Sequence, residues 1–316
     1  MWIVRGLAWL CLGLATGWSW NGKGHMTIAY IAYQRLDPAL KPTVHTLLKA
    51  NPDYKKWVQN IPASNQEERL LEAFLRASIW PDDIKSKSGY TSDGTNNGNV
   101  PPVNDPRAKQ NIGYKDKFRH KYWHFHDHPF SSDGTATQKA PTPSALTMIP
   151  ILADGLKTSP KKTIRSYDLV WLIHLAGDVH QPLHCAARFT AQQPNGDDGG
   201  NGVKLTNRQG NEVASLHSFW DGLLGGGFTE EAASLGDDLI AEHTSPPGAT
   251  ITNAETWIDE SFKLAQKFAY APPIRSDGKR SFTNSTYRKD ATGLAEKQAV
   301  LAGWRLANVL NDSLKP

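Results

Sequence analysis

Residues 171–184 read WLIHLAGDVHQPLH, and the reading of this stretch decides both the fold and the chemistry. Trp171, Leu172, Ile173, Leu175 and Ala176 enclose a histidine and an aspartate in apolar surroundings, continuing a helical pattern that starts near Ile164 and runs to Val179. Positions four apart share one helix face, so His174 and Asp178 point together. Burying a neutral polar group without a partner costs roughly 2–7 kcal/mol, and a cation held between the two side chains relieves that cost. Pro182 should end or kink the helix. His184 then leaves the His174–Asp178 face and can serve a second ion nearby.

Outward from this stretch the same pairing recurs as His217 and Asp221 in LHSFWD, residues 216–221. One such pair is as often a surface ion pair, but two of them, both set among apolar and aromatic residues, make a stronger signal. Nitrogen and oxygen donors without thiolate suit zinc, with carboxylates leaving coordination positions open. Upstream, WHFHDHP places His124, His126 and His128 at strand-like spacing, and SIWPDD carries Asp82 and Asp83, which read equally well as a helix end with Pro-Asp turn chemistry.

The remaining periodicity is helical: after His25 through Leu36, from a capping box of Ser64 and Glu67 into Leu70–Leu75, and over Ser144–Leu156, Glu230–His243, Ala254–Tyr270 and Glu296–Leu310. These predict an all-α fold with a single domain over 20–316. Its strand content is confined to one hairpin, Val203–Thr206 with Glu212–Val213. Stretches 86–118 and 190–202 are loops by their Gly, Asn, Asp and Pro content. The longer one borders a cleft or decorates the surface.

The chain has 316 residues, 39% hydrophobic and 21% charged, which excludes a disordered, collagenous or multi-spanning membrane protein. A formal charge of +4, from 35 basic and 31 acidic residues, is too weak to argue for a polyanion partner, so any nucleic-acid assignment must come from a site. Residues 1–19 read as a secretory leader, with Arg5, an apolar stretch Leu7–Ala15 and small residues before a cut after Gly17 or Ser19. Its removal takes away Cys11 and leaves Cys185 as the sole cysteine, so no internal disulfide holds the exported protein. Cys185 is expected to be a small buried residue, and His126, His128 and His180 to serve outside the ligand sets.

Trp20 with His25, Trp80-x-Asp82, His124-Phe125-x-Asp127, His174-x3-Asp178-x5-His184, the Gly199-Gly200-Asn201 turn and Leu216-His217-x2-Trp220-Asp221 together resemble the zinc-dependent single-strand nuclease and 3′-nucleotidase family. The resemblance implies a secreted hydrolase with three zinc ions per chain. Asp82, His124, His174 and Asp178 would hold one; Asp178 would bridge to a second, bound by His25 and by the free amine and carbonyl oxygen of Trp20. His184, His217 and Asp221 would hold the third. Only the cut after Ser19 presents the Trp20 amine. The same resemblance makes Asp127 the carboxylate that orients the attacking water, Phe125 the ring that stacks a base, and Lys85 the phosphate contact, standing where the family carries an arginine. Lysine keeps the charge and loses the bidentate fork.

The implied substrates are single-stranded DNA and RNA and 3′-nucleotides, acted on by a monomer without a membrane anchor in the periplasm or outside the cell. Two rivals stand beside it. A bacterial zinc phospholipase C would share the scaffold, although that group usually has Glu where Asp221 stands and a longer spacing from Trp to His. A non-catalytic zinc-binding protein is the other, and Asp127 and Lys85 argue against it.

Overall fold

The computed structural model describes residues 20–95 and 98–315, so the expected leader and its cut lie outside the described residues. The helices are α1 (Gly22–Arg35), α2 (Lys41–Leu48), α3 (Tyr54–Trp57), α4 (Gln66–Ala77), α5 (Trp80–Asp83), α6 (Ala145–Thr158), α7 (Lys162–Asp178), α8 (Leu216–Asp221), α9 (Thr229–Glu242), α10 (Ala254–Leu264) and α11 (Ser285–Ser313). Among the described residues four short strands accompany them: β1 (His128–Ser131), β2 (Ala186–Phe189), β3 (Lys204–Thr206) and β4 (Glu212–Ser215). The fold is mainly helical, as the periodicity predicts.

Helix α7 occupies the centre. Every residue from Ser166 to Asp178 is buried, because α6, α11, α2 and α1 pack around it and leave no solvent face. Helix α1 is enclosed in the same way by α11, α9 and α4. It approaches α11 closely at Gly303, where a Cβ would lie 2.6 Å from Ile31 Cγ2 and 3.0 Å from the Ile28 carbonyl oxygen. Two central helices buried on all sides can therefore bring polar residues together away from bulk water.

Several boundaries differ from expectation for identifiable reasons. The cap of α4 is Asn65, which accepts from Glu68 N–H at 3.2 Å, one residue beyond the expected Ser64–Glu67 box. The expected helix Ala254–Tyr270 is α10 followed by a π turn, Ala265–Ala269. Helix α11 begins at Ser285 under an Asn284 cap, well before Glu296. Its first turns bury only Tyr287, Ala291 and Ala295, a stripe too weakly apolar to stand out in the sequence.

The expected hairpin is present as the antiparallel pair β3 and β4. A second pair, unanticipated, is parallel: His128 to Ser131 run beside Ala186 to Phe189. His126 N–H donates to the His184 carbonyl at 2.8 Å, extending this pairing toward the segments that carry His124 and His184.

The long loop 86–118 is tied down by a residue without an assigned role in the sequence reading. His120 is fully buried in a left-handed conformation (φ 42°), stacked on Trp123 with ring centroids 3.7 Å apart. Its Nδ1 lies 2.6 Å from Asp93 Oδ2 and its Nε2 2.7 Å from Asp116 Oδ2. Burial works to lower the imidazole pKa, but the two carboxylates outweigh it and the pKa is raised. The imidazole thus clamps two points of the loop onto the aromatic block of Trp123 and Trp171.

Candidate metal centre

Four segments meet at the C-terminal end of α7. Helix α7 supplies His174 and Asp178; the turn of helix Lys121–His124 supplies His124; α1 supplies His25, and α5 supplies Asp82. His174 Nε2 and His124 Nδ1 lie 2.7 Å apart, and each is 3.0 Å from Asp178 Oδ2. Asp82 Oδ1 stands 3.8 Å from His124 Nδ1 and 3.7 Å from His174 Nε2. His25 Nε2 is 3.4 Å from the other oxygen of Asp178, its ring stacked on His174 at 4.1 Å.

Small residues make room for this crowding. A Cβ on Gly177 would fall 2.8 Å from His25 Nδ1, so the glycine before Asp178 is required for α1 to approach. The Gly177 carbonyl accepts the Trp20 indole N–H at 3.0 Å, which places Trp20, fully buried, at the edge of the same cluster. Asn21 N–H donates to the Asp221 carbonyl at 3.0 Å and connects this segment to the next group.

That second group is His184, His217 and Asp221. Helix α7 does end at Asp178, and Pro182 opens a separate helical turn, Pro182–Cys185, that carries His184. His184 Nε2 lies 3.9 Å from Asp221 Oδ1, and His217 Nε2 3.5 Å from Asp221 Oδ2. Gln181 Nε2 donates to Asp221 Oδ1 at 2.7 Å. The two groups adjoin, since His184 Nδ1 is also 3.8 Å from Asp178 Oδ1.

The hydrogen bonds behind the imidazoles determine what faces inward. His174 Nδ1–H donates to the Ser78 carbonyl at 2.6 Å, His184 Nδ1–H to the His124 carbonyl at 2.8 Å, and His217 Nδ1–H to the Gly199 carbonyl at 2.8 Å. A carbonyl only accepts, so each of these rings carries a proton on Nδ1, and in its neutral form presents an Nε2 lone pair to Asp178 or Asp221. Lone pair then faces carboxylate. His124 Nε2, His184 Nε2 and Asp221 Oδ2 are buried with no hydrogen-bond partner. Such a donor set fits a divalent cation, and the carbonyls are the outer partners that orient ligating histidines. Among the described residues, three groupings bring candidate ligand atoms within 4.8 Å of one another: His25, Asp82 and His174; His124, His174 and Asp178; and His184, His217 and Asp221.

The local field supports ionised carboxylates in the first cluster. Burial works to raise the Asp82 carboxyl, but Lys85, His174, His124 and His25 hold it well below its ordinary range. Asp178 is likewise depressed against burial by His174, His124 and His25. Burial, with Lys85, pushes His124 down to about 3, and burial is also the main cause lowering His184 to about 4. Burial raises Asp221. Burial works to lower His174, but Asp178 and Asp82 outweigh it and its pKa is raised; a cation bound there would displace that proton, since ligating imidazoles are neutral and ligating carboxylates ionised.

Of the other expected site residues, Lys85 touches this centre. Lys85 Nζ donates to Asp82 Oδ1 at 2.6 Å, so its ammonium rests on a candidate ligand. Phe125 follows His124 in extended conformation, half-buried against the core, and its carbonyl accepts Ala145 N–H at 3.0 Å. Asp127 is half-buried, and burial together with Asp198 and Asp197 raises its pKa well above the usual carboxylate range. The remaining histidines point elsewhere. His126 Nδ1 pairs with Ser144 Oγ at 2.7 Å, His128 Nε2 with Asp259 at 3.1 Å, and His180 Nε2 with Arg305 Nη1 at 3.1 Å. Cys185 is buried, its thiol donating to the Val179 carbonyl at 3.4 Å.

Sequence reasoning did not find the carbonyls of Ser78, His124 and Gly199, nor Gln181. Backbone acceptors carry no residue signature; only Gly199, in a Gly-Gly turn, left a trace.

A family profile described as S1/P1 Nuclease matches residues 20–315. Nuclease S1 of Aspergillus oryzae is 26% identical over 171 residues, covering 48% of this chain and 56% of that protein. The chain thus spans about half the length of this curated relative.

Proposed function

This chain belongs to the S1/P1 nuclease family, and from that premise we propose a hydrolase of phosphodiester bonds with nucleic acid as its substrate: an exported endonuclease, dependent on three zinc ions, that cuts single-stranded DNA and RNA to 5′-phosphate products and removes 3′-phosphates from nucleotides. The observation that carries the proposal is the set of Nε2 lone pairs of His174, His184 and His217 facing the Asp178 and Asp221 carboxylates, an arrangement a divalent cation completes.

Asp82, His124, His174 and Asp178 would hold one ion, with Asp178 reaching a second alongside His25 and Trp20, and His184, His217 and Asp221 holding the third. Zinc bound there would supply Lewis acidity, lowering the pKa of water and stabilising charge on the departing 3′-oxygen. Asp127 would orient the attacking water, and a carboxyl whose pKa is raised takes up a proton readily. Lys85 would offer a point charge to a phosphate oxygen. Phe125 would stack a base swung out of the strand, which costs least where the strand is unpaired. The family match begins at Trp20, the residue that a cut after Ser19 exposes, which supports an export leader over 1–19 and a periplasmic or extracellular location. Among the described residues no helix is long and apolar enough to cross a membrane.

The purified mature protein should be assayed on denatured DNA, RNA, duplex DNA, 3′-AMP and phosphatidylcholine, each with and without EDTA. The proposal expects chelator-sensitive cleavage of the first two and of 3′-AMP, with duplex a poor substrate. Lipid cleavage without nuclease action overturns it in favour of a phospholipase.

A further inference from the structure

The third ligand group depends on a turn whose conformation is costly on its own. Asp198, Gly199 and Gly200 are three consecutive left-handed residues, with φ of 53°, 60° and 85°. Asp198 bears a side chain in that region, and a Cβ on Gly199 would lie 2.7 Å from the Leu183 carbonyl oxygen and 3.2 Å from His217 Nδ1. This turn delivers the Gly199 carbonyl to His217 Nδ1–H at 2.8 Å, and the Gly200 carbonyl accepts His217 N–H at 3.4 Å. The tautomer and aim of His217 are therefore set by the turn.

The turn is held by the preceding residue. Asp197 is buried, and its Oδ1 accepts Arg188 N–H at 2.9 Å and the Tyr270 hydroxyl at 3.1 Å. Its Oδ2 stands 3.8 Å from Arg188 Nε, and the Gly200 backbone amide bears on the carboxylate, working to lower its pKa against burial. Arg188 is itself buried; its Nη2 donates to the Arg275 carbonyl at 2.7 Å, and its guanidinium sits 4.5 Å from the centroid of the Tyr270 ring. The backbone of Asp197 closes the frame, its N–H bonded to Arg188 O at 3.1 Å and its carbonyl to Gly202 N–H at 2.9 Å. None of these groups reaches the candidate ligands directly.

We propose that Asp197, braced by Arg188 and Tyr270, is a positioning residue for the third metal site: it locks the 197–201 turn so that the Gly199 carbonyl keeps the proton of His217 on Nδ1 and leaves Nε2 for the ion shared with His184 and Asp221. The inference rests on the metal reading proposed above. Removing the carboxylate charge strips Arg188 of its counter-ion and weakens the hold on the Gly200 amide, which frees the turn without touching a ligand. An orienting partner of this kind changes metal affinity about 10–100-fold.

The test is chelator competition on the zinc-loaded protein, counting ions per chain for wild type, Asp197→Asn, Tyr270→Phe and His217→Ala, with circular dichroism to monitor folding. Wild type should bind three ions, and His217→Ala identifies which ion belongs to this site. Asp197→Asn should weaken that same ion about 10–100-fold and leave the other two unchanged, with Tyr270→Phe shifting it less in the same direction. Unchanged affinity in Asp197→Asn overturns the positioning role alone. Parallel weakening of all three ions also overturns it, because that is a general loss of fold. A wild type with no ion at His217 sinks the metal reading together with this inference.

Discussion

Asp168 on α7 provides a test of how far the buried centre of this fold tolerates charge. Its side chain is fully buried, and neither carboxylate oxygen has a well-formed hydrogen bond, although the Asn111 amide lies beside it. Helix α6 presses on the same spot, since a Cβ on Gly155 would lie 2.3 Å from Asp168 Oδ2. Burial raises the carboxyl from its ordinary 3.8 to about 8, Asn111 opposing the shift and Asp154 adding to it. Between those two pH values the unfolded chain is ionised while the folded chain keeps its proton. The folded state binds more protons, so stability falls as pH rises, by about 1.36 kcal/mol per unit. At pH 7 the cost is on the order of 4 kcal/mol. Asp168→Asn removes the titration and keeps the shape. Urea unfolding of both proteins at fixed free zinc should give near-equal stability at pH 4 and a variant more stable by about 4 kcal/mol at pH 7. A variant less stable than wild type at pH 7, or a difference independent of pH, refutes the reasoning.

The His120 clamp has the same pH sign, but its removal costs stability where that of Asp168 gains it. Its pKa is raised by Asp116 and Asp93 against burial, so its contribution is full below its unfolded value near 6.5 and is lost as pH rises through the folded value. His120→Gln leaves two buried carboxylates without their cation and should cost about 3–5 kcal/mol at pH 6, with the gap to wild type narrowing at pH 9 in thermal melts; a gap constant with pH removes the charged clamp. Phe125→Ala should raise KM for dinucleotides with zinc content unchanged, by a stacking loss of about 1–3 kcal/mol, and an unaltered KM takes the ring out of the substrate site. A methionine engineered before Trp20 should abolish most activity and release one zinc by metal analysis, whereas a fully active extended protein rules out the amine as a ligand.

The parts of this molecule that could be read in advance share one property: their signal is local. His174 with Asp178, and His217 with Asp221, are visible because a helix repeats on itself at four residues, and Pro182 announces where His184 must turn away. The helices with a strong apolar stripe were visible for the same reason, while the alanine-lined start of α11 was not. What stayed hidden depends on partners distant in the chain. Ser78 and His174 are 96 residues apart, and β1 and β2 are four-residue strands whose only argument for existing is each other. His120 carried no signal of a role because Asp93 and Asp116 are ordinary loop residues until the chain folds them onto it. Asp197 carried a Gly-Gly turn on its C-terminal side, but the Arg188 and Tyr270 that make it a brace come from separate elements.

The central claim is that neutral imidazoles and ionised carboxylates, gathered at the end of α7, surround divalent cations. Anomalous X-ray scattering at the zinc edge, from crystals of the mature protein grown with zinc, tests it most directly. Three peaks are predicted: two flanking Asp178 and one among His184, His217 and Asp221. A map with no peak beside Asp178, or with its peaks at other residues, contradicts the account.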